Sequence, residues 1–434
     1  MTALPLPPRG GVALAASRLD DTVKGVPGSA GAVKLGEVGA KGWNLLKGDL
    51  PLPAAVLHRD RLLANSAWMT RFCRANGLEI APHGKTTMAP QLFALQLQAG
   101  AWAITAATVQ QLAVCRRFGI PRVLLANQPV GRAAIDACFE ALTGEHAVEL
   151  YCLADSLPGV AMLAAGAERR GTNRALKILV EIGAAGARTG ARTGDEALAV
   201  ARAVAAAPGL ALAGIECFEG VLLDVPAVDR LLDEVRAAAQ ACAAEGLFAP
   251  DRPIVLSAGG SAFFDRVGER FGEADFDGRA VLKVLRSGCY MTHDALGYDT
   301  AYERVLSETK LALPPGRLQA ALEVWAYVQS RPESGRTILT MGKRDVSHDA
   351  GLPVPLRWFR PGAMAEPEAM PRSHAVLALN DQHCHLGTPG ESPLEVGDMV
   401  AFGIGHPCTT FDKWGLLMVI DAEHTVVDAV RTFF

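Results

Sequence analysis

Between residues 78 and 286, short apolar runs alternate with Ala- and Leu-rich runs of helical period, and this alternation constrains the fold more than any other feature. The strand candidates are Leu78 to Ala81, Ala103 to Ala106, Arg122 to Ala126, Val148 to Leu153, Lys177 to Ile182, Ala213 to Phe218, Ile254 to Ser257 and Val281 to Arg286. Each is followed by a helix-like segment, the signature of βαβ units around a parallel sheet. Eight such units are what a (β/α)8 TIM-type barrel requires. A doubly wound sheet shares the beat, because periodicity does not establish closure, so it stays open as the alternative. In the helix candidate Thr108 to Arg117, the spacing assigns Val109, Leu112 and Ala113 to the buried face.

After about residue 305 the helical runs stop. Strand candidates follow at Leu322 to Val328, Arg336 to Thr340, His374 to Leu379, Met399 to Ile404, Leu416 to Ile420 and His424 to Val430, predicting a mostly β domain. A chain of 434 residues exceeds one core, and with 50% hydrophobic and 20% charged residues it can bury two. Residues 1–50 are rich in Gly and Pro and read as an irregular arm that packs through Trp43, Leu45 and Leu46. The expected organisation is therefore arm 1–50, barrel 51–305 and C-terminal β domain 306–434, with the arm able to lend the β domain its first strand.

The net charge of -4 offers no field for nucleic acid, so small-molecule chemistry is expected. Nine scattered cysteines in a long chain point to reduced thiols and a cytoplasmic setting rather than a disulfide framework. No run approaches the ~20 apolar residues of a membrane span, and Pro5, Pro7, Pro8 and the Gly10-Gly11 pair break the opening segment. A soluble, unexported protein is the expectation.

Chemistry-bearing residues gather just past strand ends, the catalytic face of a barrel. Lys85, in Pro82-His83-Gly84-Lys85-Thr86, follows the first strand candidate and precedes a helix expected near Met88; an amine there can condense with an aldehyde cofactor. Ser257-Ala258-Gly259-Gly260-Ser261 and Ser287-Gly288-Cys289-Tyr290 follow the last two, where glycines let backbone N–H groups reach a phosphate. Arg188 and Arg192 trail the fifth. In the β domain, His406-Pro407-Cys408 is read as extended, which would turn both side chains to one side to bind one soft ion; two ligands suit a catalytic rather than a structural site. Asp381-Gln382-His383-Cys384-His385 ends another strand-like run.

Together with Gly342-Lys343-Arg344-Asp345 and His406 to Thr410, these segments make residues 50–430 resemble the D-serine dehydratase and D-threonine aldolase group of alanine-racemase-like, fold type III pyridoxal-phosphate enzymes. The resemblance implies pyridoxal 5'-phosphate carried by Lys85, with Ser257, Gly259, Gly260, Ser261, Gly288, Cys289 and Tyr290 mainly around its phosphate and Gln128 and Arg188 near its ring. It implies a divalent metal at His406 and Cys408, zinc above manganese or magnesium, a D-amino-acid substrate and a homodimer. The sixth strand ends in Glu216-Cys217-Phe218-Glu219-Gly220 without a tyrosine, and this, the long arm and the Asp381-to-His385 segment together place the chain nearer bacterial relatives described as amino-acid deaminases. The expected reaction is dehydration of D-serine or a related D-3-hydroxy amino acid. The alternative is retro-aldol cleavage, with His383 or His385 as base; racemisation and non-catalytic cofactor carriage rank below both.

Overall fold

The computed structural model describes residues 3–250, 252–276, 278–388 and 390–434. The strands Glu79–Ile80, Ile104–Ala106, Arg122–Leu125, Glu149–Ala154, Leu176–Ile182, Leu210–Cys217, Ile254–Ala258 and Val281–Leu285 form one parallel sheet in sequence order. The first strand pairs with the eighth, Glu79 against Val284 and Ile80 against Leu285. It also reaches the second: Trp102 N–H donates to Ile80 O at 2.8 Å, Thr105 N–H donates to Pro82 O at 2.9 Å, and His83 bridges Thr105. These contacts close the sheet and exclude the doubly wound alternative, which keeps two free edges.

Ala81, Ala103, Leu124, Tyr151, Leu153, Leu179, Val255 and Val284 pack together inside the barrel. Near the N-terminal ends of its strands, Lys177 and Arg122 both pair with Glu149. The strands' C-terminal ends are left for chemistry. The helices outside begin in several places on a residue whose side chain accepts an N–H three positions on, as Thr108, Ser156, Thr193 and Asp224 do. In Val109–Arg117 the buried face is Leu112, Val114 and Cys115. Ala113, expected inside, is exposed, and Val109 is half-buried. The helix expected near Met88 starts at Pro90, because Met88 takes a left-handed backbone (φ 42°) that turns the chain first.

The C-terminal sheet contains Leu322–Glu333, Arg336–Leu339, Val354–Phe359, Ala375–Leu379, Cys384–Gly387, Met399–Gly403, Leu416–Ile420 and Val426–Arg431. Ala54–His58 joins it, antiparallel to Leu322–Trp325 and parallel to Met418–Ile420. This strand belongs to residues expected to start the barrel, and it had no signature because all five of its residues are buried. Val354–Phe359 and Cys384–Gly387 also escaped the pattern reading. Pro355 masks the first, and the second is only four residues long.

The arm, whose Met1 and Thr2 lie outside the described residues, holds a short helix Gly11–Ala15 and a ribbon pairing Arg18–Leu19 with Val33–Lys34. It docks on the last strand, with Leu45 fully buried and its N–H donating to His424 O at 3.0 Å.

Candidate active site

Lys85 sits in one 3-10 turn, Gly84–Thr86, beyond the first barrel strand. Two adjoining cavities share His83, Lys85, Phe218, Gly259 and Arg286. The first, about 710 Å³, crosses the barrel mouth to Glu181, Arg188 and Glu216. The second, about 640 Å³, runs toward the β domain and is lined by Thr86, Ser261, Gly288, Cys289, Tyr298, His406 and Cys408.

Charge is arranged tightly around the shared wall. Burial, then the nearby cations Lys85, Arg286 and Arg188, push His83 well below the ordinary histidine range, so its imidazole is neutral. Its Nδ1 has no protein partner among the described residues. Arg286 donates to Ser257 Oγ and to Cys217 O, each at 2.8 Å, and its Nη2 lies 2.6 Å from Glu216 Oε2. That last contact is close but poorly directed, because neither Glu216 oxygen gains a well-aligned hydrogen bond. Burial pushes the Glu216 carboxyl up to about 8; Glu181 adds to the rise while Arg286 and Arg188 oppose it.

The glycine loops offer donors to an anion. Gly259 and Gly260 donate their N–H groups to Glu219 at 2.9 and 2.6 Å, so a carboxylate already occupies that pair. The N–H groups of Ser261, Gly288 and Cys289 meet no acceptor among the described residues. A Cβ on Gly288 would stand 2.6 Å from His83 O and 2.8 Å from Thr86 Oγ1, so only glycine permits this approach. Free amides beside a cavity lysine fit a phosphate-bearing aldehyde such as pyridoxal phosphate.

On the opposite wall, His406 caps the helix Pro407–Phe411, which contains Cys408. The segment is therefore not the extended one expected, because the chain turns into a helix at Pro407; both side chains still line the same cavity. His406 Nδ1 lies 2.6 Å from Asp349 Oδ2, and Thr409 Oγ1 donates to Asp349 Oδ1 at 2.7 Å. Hydrogen bonds to Cys408 and Asp349 raise His406 to about 9. Hydrogen bonding with Cys289, then with His406 and Thr86, lowers Cys408 to about 4 against the effect of burial. A thiolate and a carboxylate-oriented imidazole form a donor set that fits a soft divalent ion. No group of three His, Cys, Asp or Glu side chains already stands in coordinating positions among the described residues.

The remaining expected residues divide. Lys85, Gly259, Gly260, Ser261, Gly288, Cys289, His406 and Cys408 line the second cavity. Arg188 lies at the exposed rim of the first, its guanidinium 4.2 Å from the Phe218 ring centroid. Gln128 reaches that cavity only through Glu181, to which its Nε2 donates at 2.5 Å. Ser257 does not face either cavity; its hydroxyl donates to Val284 O at 3.0 Å and holds Arg286, because its position lies within a strand. Tyr290 is buried and lines neither of these cavities, but a third one behind the loop that Met69 and Phe264 also line. His383 is exposed in the turn that joins Ala375–Leu379 to Cys384–Gly387, outside both cavities, and His385 bonds Asn380 at 2.6 Å. Sequence reasoning passed over His83, Thr86, Glu216, Tyr298, Asp349 and Arg286 as individual site residues. The strand-end rule points to Glu216 and Arg286, whereas nothing local marks Asp349, 57 residues from its partner.

Comparison with known proteins agrees with this architecture. The alanine racemase N-terminal domain model matches residues 57–274, and the putative serine dehydratase domain model matches residues 321–420. The chain belongs to the alanine-racemase-like family of fold type III pyridoxal-phosphate enzymes. Family members alike in sequence include a 3-hydroxy-D-aspartate aldolase of Paracoccus denitrificans (strain Pd 1222), 27% identical over 70% of this chain and 75% of the relative. Among solved structures, D-threonine aldolase from Filomicrobium marinum superposes with a TM-score of 0.73 at 23% identity, covering 90% of this chain and 97% of that one. D-threo-3-hydroxyaspartate dehydratase from Delftia sp. HT23 gives 0.70 at 22% identity, covering 90% and 99%. A mutant of that dehydratase is described in a metal-free form. At these identities the structures speak for the fold.

Proposed function

We propose that this chain is a pyridoxal-phosphate- and divalent-metal-dependent lyase that removes water from D-serine or a related D-3-hydroxy amino acid, giving a 2-oxo acid and ammonia. The observation that carries the reading is that Lys85, from the barrel, and the His406–Cys408 pair, from the β domain, line one cavity of about 640 Å³. Lys85 would hold the cofactor aldehyde and its amine, once released, would take the Cα proton. The amides of Ser261, Gly288 and Cys289 would hold the phosphate, and Arg188 and Arg286 would flank the ring and the substrate carboxylate. Bound cofactor supplies an electron sink for the negative charge left on Cα. His406 and Cys408 would hold a metal that supplies Lewis acidity to the β-hydroxyl. Asp349, by fixing Nδ1, leaves the other imidazole nitrogen for that ion. The reading includes a cytoplasmic homodimer, for which light scattering of the purified protein is the direct check.

A second reading, retro-aldol cleavage to glycine and an aldehyde, is favoured by the aldolases among the relatives. In that reading the neutral His83 beside Lys85, rather than the distant His383, is the base at hand. Turnover of a panel of D- and L-3-hydroxy amino acids separates the two. Pyruvate from D-serine supports elimination, and glycine from D-threonine or D-phenylserine supports cleavage. Turnover of L-isomers alone sinks both.

A further inference from the structure

Catalytic zinc sites use three protein ligands and leave one position for water or substrate. His406 and Cys408 supply two. The wall that carries them holds another sulfur: Cys289 Sγ stands 3.8 Å from Cys408 Sγ. Two sulfurs each bound at about 2.3 Å to one tetrahedral zinc are about 3.8 Å apart, so the observed separation already matches the one a shared ion needs. The two thiols come from different domains. Cys289 opens the one-turn helix Cys289–Met291 after the eighth barrel strand, and Cys408 lies in Pro407–Phe411 after Met399–Gly403.

Other features favour a binding role for this pair over simple packing. Cys289 is 5% exposed yet lines the cavity, as does Cys408. Thr86 Oγ1 lies 3.4 Å from Cys408 Sγ and 3.9 Å from Cys289 Sγ, so the turn that carries Lys85 abuts both sulfurs. The other seven cysteines are buried and line neither of these cavities. His406, oriented by Asp349 at 2.6 Å from its Nδ1, lines the same cavity as both sulfurs and is the nitrogen donor nearest in sequence to Cys408.

We infer that Cys289 is a third protein ligand of the metal, making a Cys289–Cys408–His406 site that selects a thiophilic ion and ties the barrel to the β domain. The inference rests on the proposed metal role of His406 and Cys408 and adds the ligand count and the ion class. Two thiolates favour zinc or cadmium and discriminate against manganese and magnesium, whose preference is for oxygen donors.

The test uses the cofactor-loaded full chain titrated with cadmium, read through the ultraviolet cadmium–thiolate charge-transfer band in wild type, Cys289→Ser and Cys408→Ser. Each variant should keep roughly half of the wild-type amplitude, one thiolate of two. X-ray absorption on the zinc-loaded wild type, which needs no variant to fold, should count two sulfur neighbours. Zinc affinity should fall by about tenfold or more in Cys289→Ser while manganese affinity stays within about twofold. A band unchanged in Cys289→Ser and abolished in Cys408→Ser, with one sulfur neighbour, overturns the third ligand and leaves the His406–Cys408 reading standing. No band in wild type and no sulfur neighbour of zinc overturns both.

Discussion

Arg286 is the residue whose removal the structure makes most informative. It is 4% exposed, and its guanidinium serves Ser257, Cys217 O and Glu216 together. Replacing it by Met removes two charged hydrogen bonds, a loss of about 3–6 kcal/mol that does not depend on pH. The pH-dependent part comes from Glu216, whose native-state carboxyl is pushed up to about 8. Between the ordinary 4.5 and that value, native protein holds a proton the unfolded chain has released, so wild-type stability falls as pH rises and levels off above about 8. Arg286 is the charge that most strongly opposes the rise, so without it Glu216 stays protonated to higher pH and the decline continues. The deficit of Arg286→Met should be constant below pH ~8 and then widen by about 1.4 kcal/mol per pH unit, up to the ~3–5 kcal/mol of an uncompensated buried charge. Urea unfolding of the cofactor-free protein, followed by circular dichroism at several pH values, measures it. In Arg286→Met/Glu216→Gln the widening should vanish. Equal deficits for Arg286→Met at pH 7 and 9.5 would refute the coupling of these two side chains.

Further outcomes are expected. Purified wild type should show an imine absorption band that Lys85→Ala abolishes; an unchanged spectrum rejects Lys85 as the attachment point. Gly288→Ala places a methyl 2.6 Å from His83 O, so it should destabilise by about 1–3 kcal/mol and weaken titrated pyridoxal phosphate, whereas wild-type affinity would show that the loop yields freely. Asp349→Ala frees His406 Nδ1 and should lower zinc affinity by about 10–100-fold in chelator competition, while an unaltered constant removes Asp349 from the site. Chelation should stop turnover yet leave the imine band in place, and full activity in metal-free protein would remove the role given to His406 and Cys408.

The local order of the chain determined a good deal. The alternating beat announced the eight barrel strands to within a residue or two for most, because strand and helix periods are properties of neighbouring residues. Lys85 and most of the two glycine loops were legible as lining of the cavity at the barrel mouth, because that cavity lies where the strands end. His406 and Cys408 were found as residues but given the wrong backbone, since a Pro after an extended histidine opens a helix as readily as it continues a strand. Only the tertiary structure decided closure, through His83 and Thr105, and the placing of Ala54–His58, a strand buried on both faces and hence without alternation. It alone turned Ser257 toward Arg286, left His383 on an exposed turn, and brought Asp349 to His406 and Cys289 to Cys408. Periodicity reports on residues a few places apart. The meeting of two sulfurs 119 residues apart is fixed by how a closed barrel seats against a sheet, and no local pattern encodes that distance.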